Sequence, residues 1–110
     1  MTDETKNVED ELREELLIHM DRIRAHLQED YWGITEALVD VGEETNLDPL
    51  SPDKWKLSAW PYFIDAMTRR LERQQCPQAE DVKSTLRDMR YRIDTLRLLG
   101  VISMNCSWKP

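Results

Sequence analysis

The sequence predicts an all-α fold, a small helical bundle of about four helices followed by a short extended C-terminal tail. Three observations carry this. Apolar residues recur at helical spacing over most of the chain, from Val8, Leu12, Leu16, Met20 and Ile23 onward. Only three glycines and five prolines interrupt 110 residues. Strict alternation, the period of a half-buried strand, occurs only at the end, where Ile102, Met104, Cys106 and Trp108 face away from Ser103, Asn105, Ser107 and Lys109. At this length the chain is one domain, 1–110, with 1–7 expected to be disordered.

The first stripe continues through Leu27, Tyr31, Ile34, Leu38 and Val41 without losing phase at Gly33. One continuous helix over 7–44 would be roughly 55 Å long at ~1.5 Å per residue, well beyond the ~30 Å of a globule this size. A break or kink near Glu29–Gly33 is therefore preferred over a single overhanging helix, because glycine costs about 1 kcal/mol inside a helix and often ends one. Residues 42–52, GEETNLDPLSP, form the clearest loop. Ser51-Pro52 reads as the cap and first turn of a short helical piece reaching Leu57. A second start at Ser58–Pro61 leads into Trp60, Phe63, Ile64, Met67 and Leu71 on one face, and Cys76-Pro77 ends that helix.

Pro77 opens the last helix, with Glu80 and Asp81 suited to its positive end. Leu86, Met89, Ile93 and Leu96 continue from Val82 at alternating spacings of four and three, a two-heptad seam for a dimer or another partner. Gly100 stands where a C-terminal cap belongs.

Charge is divided along the chain. Residues 1–50 carry a net −11 and residues 51–110 a net +4. This polarity favours antiparallel packing of the two halves, within one chain or between copies, and makes direct nucleic-acid binding by the front half unfavourable. The arginines at 69, 70, 73, 87, 90, 92 and 97 are interleaved with Glu72, Asp88 and Asp94, which dilutes the field a phosphate backbone needs.

Chemistry-bearing motifs are absent. No GxGxxG, phosphate loop, GxSxG or HExxH occurs. His19 and His26 lie seven residues apart, about 10.5 Å along a helix, too far to share one metal. Cys76 and Cys106 are too few for a disulfide scaffold, and Cys106 on the apolar side of the tail suits a core thiol better than a nucleophile. Carboxylate pairs such as Glu14-Glu15 fall in solvated stretches. The expectation is no enzyme, no cofactor and no metal. No run approaches the ~18 apolar residues of a membrane span, and the N-terminal residues lack signal-peptide character, so a cytoplasmic protein is expected.

Four tryptophans in a chain of this length are many, and most stand near predicted element ends. Trp32, Trp55 and Trp108, with Ile102 and Met104 of the tail, are the candidate partner-binding residues. The tail has three ways to be used: pairing with itself across a two-fold axis, adding to another protein's sheet, or packing on the helices without a ladder. The functional expectation is a small acidic regulator, as a homodimer, that occupies another protein's interaction surface, with a transcription factor as the target of an antiactivator or inhibitor. The alternatives are a nucleic-acid mimic using the acidic half and a small enzyme or ligand sensor using the histidines and thiols.

Overall fold

The computed structural model describes residues 8–26, 32–74, 76–100 and 102. Within them the chain forms four helices, α1 (Val8–Ala25), α2 (Trp32–Thr45), α3 (Trp60–Leu71) and α4 (Pro77–Leu98), with 3-10 turns at Pro52–Lys54 and Leu57–Ala59 and no strand among the described residues. The all-α bundle expected from periodicity is the fold observed. The predicted disorder of 1–7, the region of the break at 29–31 and the tail from 103 lie outside the described residues; the stripe is nonetheless carried by two helices, not one.

Each helix forms for reasons visible in its own residues. α1 has Glu9, Asp10 and Glu11 in its first turn and Arg22 and Arg24 in its last, the arrangement a helix dipole favours. It buries Leu12, Leu16, Met20 and Ile23. α2 buries Ile34, Ala37, Leu38 and Val41, and ends where Asn46 turns left-handed, φ 58°. The Leu47 amide then reaches back to the Gly42 carbonyl at 3.2 Å, satisfying an orphan acceptor of the last turn. This return is close: a Cβ at Gly42 would stand 3.0 Å from both Leu47 O and Pro49 Cδ.

The loop after α2 is ordered by Asp48. Its carboxylate accepts from the Leu50 amide at 2.9 Å, and its carbonyl accepts from the Ser51 amide and from the Trp55 indole N–H, at 3.1 and 3.0 Å. The short helical piece expected here is a pair of 3-10 turns, and Ser51, at the N-cap of the first, makes no side-chain capping bond. α3 likewise starts without a side-chain cap, from Ala59. α4 is capped by Cys76, whose Sγ accepts the Ala79 amide at 3.4 Å. Gly100, φ +72°, ends it as expected, and the Ile102 amide bonds the Leu96 carbonyl at 3.4 Å.

Side-chain pairs give the helix directions. Glu15 meets Arg92 and His26 meets Asp81, so α1 and α4 run antiparallel with equal steps along each. Asp40 and Glu44 meet Arg70 and Arg69, and the Gln74 side chain donates to Gly33 O, so α2 and α3 are antiparallel too. Arg90 of α4 reaches Asp65 and the Pro61 carbonyl near the start of α3. The result is an up-down-up-down bundle whose closest pairs are α2 with α3, α1 with α4, and α3 with α4. The acidic front half is paired with the basic back half inside one chain.

Candidate functional site

Two groups of the candidate binding residues lie inside the bundle. Trp55 is 6% exposed, with its ring 4.6 Å from Trp60 and 4.9 Å from Phe63 and its N–H bonded to Asp48. It closes the core beneath the loop, where it was expected at an exposed element end. Leu86, Met89, Ile93 and Leu96 are buried together with the α1 and α3 stripes. Within the single chain the seam expected to face a dimer or another partner is covered by the chain's own α1 and α3. Ile102 is also buried, at the end of the α4 cap. Trp32 opens α2, but its side chain, like Met104, Cys106 and Trp108, lies outside the described residues.

The histidines are placed structurally. His19 Nδ1–H donates to the Glu15 carbonyl at 2.7 Å, and His26 Nε2–H donates to Asp81 at 2.8 Å, bracing α1 on α4. Among the described residues no group of three or more His, Cys, Asp and Glu side chains gathers to hold a metal, and no helix is long and apolar enough to cross a membrane.

Among the described residues, two grooves lie between neighbouring helices of the bundle. The one between α2 and α3, about 530 Å³, has small residues at its base, Gly33, Ala37 and Ala66, which let the helices approach. Its walls are crossed by ion pairs: Arg70 to Asp40 and Glu44, both at 3.3 Å, and Arg69 to Glu44 at 3.2 Å. It is bridged from wall to wall. The groove between α3 and α4, about 310 Å³, differs in having an apolar floor of Ile64 and Leu86 and a rim of Arg69, Arg87 and Arg90 with Asp65 and Thr68.

Arg90 is fixed by Asp65 at 2.8 Å and Asp94 at 3.2 Å. Partial burial works against its charge, but the two carboxylates outweigh burial and raise its pKa further. Arg87 makes no hydrogen bond or ion pair among the described residues. It helps hold Glu80 below the ordinary carboxylate range, chiefly the effect of the hydrogen bond and 2.8 Å ion pair from Lys83.

The surface also carries apolar side chains that the sequence reading passed over. Ile18 is 56% exposed, Tyr91 75%, Leu98 87% and Leu99 69%. A signal for them exists in the sequence: Ile18, Tyr91 and Leu98 each stand two residues beyond a stripe member, Leu16, Met89 and Leu96, and so point away from the core. Apolar residues out of phase with a helical stripe mark outward faces.

The chain matches no known protein family model, no curated protein and no solved structure. The reading of its function rests on these surfaces alone.

Proposed function

We propose that this chain is a small non-enzymatic regulator that binds another protein and acts by occupying its surface, an antiactivator or inhibitor whose target is a transcription factor in the cytoplasm. The observation that carries this reading is the exposed pair Leu98 and Leu99 at the last turn of α4. They lie on a helix end pinned by the Gly100 cap and the buried Ile102, directly before the sequence that holds Met104 and Trp108. Tyr91 stands one heptad before Leu98, on the same outward face of α4. Leucine and aromatic side chains presented together on a fixed helix end suit a groove that a partner uses for its own helix.

Binding there competes with the partner's own assembly, and charge sets the rate of encounter more than the affinity. The nucleic-acid-mimic reading is less well supported, because Glu15, Asp40 and Glu44 already hold the chain's own arginines. Salt separates the two: mimicry loses affinity steeply as salt rises, whereas an apolar contact loses little.

The test is to recover partners from the source cells with tagged full-length chain and with the double variant Leu98→Glu/Leu99→Glu, then to rebuild the complex from purified components. The expected result is one partner held at moderate salt by the wild type, released by the double variant, and impaired in its own dimerisation or DNA binding. Equal retention by both chains, or no partner at all, refutes the proposal.

A further inference from the structure

The α3–α4 groove and the outer face of α1 are complementary to each other. The groove offers an apolar floor, Ile64 and Leu86, beneath the guanidinium groups of Arg69, Arg87 and Arg90. Arg69 and Arg90 already pair with Glu44, Asp65 and Asp94, so the rim's unmatched charge is that of Arg87, on a protein of net charge −7. The exposed face of α1 offers the reverse, an outward Ile18 among Asp10, Glu11, Glu14 and Asp21, with Arg22 exposed beside them and Arg24 3.8 Å from Asp21. An isolated exposed isoleucine is ordinary. Flanked by carboxylates, it has a counterpart in an apolar-floored groove that carries arginines.

The two features also stand at one height. Arg92 faces Glu15 and Asp81 faces His26, so by the same register Ile18 is level with Met89, between the groove residues Leu86 and Arg90. Tyr91, exposed on α4, lies about 3 Å further along the helix axis at ~1.5 Å per residue. α4 packs against both α1 and α3, so it runs between the two features and its outward Tyr91 faces whatever spans them.

We infer that a second copy of this chain is the occupant: Ile18 of one copy enters the α3–α4 groove of the other, and carboxylates of α1 meet its arginines. Because ridge and groove are level, a two-fold axis at that height makes both contacts at once, and the assembly closes as a dimer and does not grow into a filament. Arg87, whose side chain makes no hydrogen bond or ion pair among the described residues, gains its carboxylate there. Leu98 and Leu99, which carry the regulator reading, are not part of the contact; Tyr91 borders both surfaces, so Leu98→Glu/Leu99→Glu set against Ile18→Glu and Arg87→Glu is what tells the two proposals apart.

The test is sedimentation of the full chain over a range of concentrations at low and high salt, with far-UV circular dichroism to establish that each variant is folded. Wild type is expected to dimerise more tightly at low salt. Ile18→Glu and Arg87→Glu each weaken the dimer at least tenfold, both being exposed positions that leave the helices intact. Adding Glu11→Lys and Glu14→Lys to Arg87→Glu restores association. Leu98→Glu/Leu99→Glu leaves it unchanged. A wild type that is monomeric throughout overturns the inference. So does a dimer indifferent to Ile18→Glu and Arg87→Glu, a reversed-charge variant that stays monomeric, or a dimer lost on ending the chain after Ile102.

Discussion

Replacing Gly100 tests the end of α4 more sharply than any core substitution, because the structure leaves one energy term to consider. Gly100 has φ +72°, and a Cβ built there meets no atom within 4 Å. Steric cost is therefore nil, and the cost of Gly100→Ala is the left-handed backbone, about 1–2 kcal/mol for a residue with a Cβ. Alanine also restricts the unfolded chain, which returns about 0.4–1 kcal/mol. The net loss is about 1 kcal/mol, a fall in Tm of about 4 °C for a domain of this size. Gly100→Asn should lose less, since asparagine tolerates the left-handed region and Asn46 already occupies it at the end of α2. Urea unfolding followed by circular dichroism measures both, with an unchanged m-value as the sign that the native and unfolded states keep their extents. A clear gain in stability for the alanine variant would refute the left-handed cap. A loss of about 3 kcal/mol or more would refute the open space, implying that Ile102 leaves the core with the cap.

Gly42→Ala gains about 1 kcal/mol of helix propensity but meets Leu47 O and Pro49 Cδ at 3.0 Å; thermal unfolding should show no stabilisation, and a full gain would contradict the close return of the loop. Cys76→Ala removes the α4 cap and should cost about 0.5–1 kcal/mol, while Cys76→Asp, a stronger cap, should equal or exceed wild type in the same measurement. Trp55→Ala should cost about 3–5 kcal/mol by chemical denaturation, as a core aromatic does, whereas Tyr91→Ala should stay within about 0.5 kcal/mol; similar losses would place Trp55 outside the core. Glu80 has a depressed folded pKa, so its contribution is present above about pH 4.5, its ordinary value, and is lost as pH falls through the folded pKa. Wild type should therefore exceed Glu80→Gln in stability at neutral pH and converge with it below pH 4.5, as read from unfolding midpoints across that range.

Helices were legible because burial repeats with their pitch: Leu12, Leu16, Met20 and Ile23 on α1, and Phe63, Ile64, Met67 and Leu71 on α3, are the buried faces that the spacing assigns. Gly100 was legible because few other residues tolerate that backbone. Trp55 was not, since a 3-10 segment between loops has no period to set its phase, and its burial depends on the Asp48 carbonyl and on rings that arrive from α3. The Leu86–Leu96 seam was visible as a seam, but a stripe states that it is covered and never by what; α1 and α3 supply the cover. The grooves lie further still from the sequence. Arg87 and Ile64 become neighbours of one space only through the antiparallel register of α3 on α4.

Pairing the first helix with the last has a consequence for the making of the protein. Contacts such as Glu15 with Arg92 and His26 with Asp81 join parts of the chain far apart in sequence, and non-local closure of this kind slows folding. During translation, at about 5–20 residues per second, α1 is complete some ~4–14 s before the end of α4 has been added. Through that interval Leu12, Leu16, Met20 and Ile23 wait without the helix that covers them. The nascent polypeptide is thus a different molecule from the finished one, an acidic segment whose apolar stripe has no cover. Its carboxylates are in greatest excess over its bases before the arginines of the second half have been added.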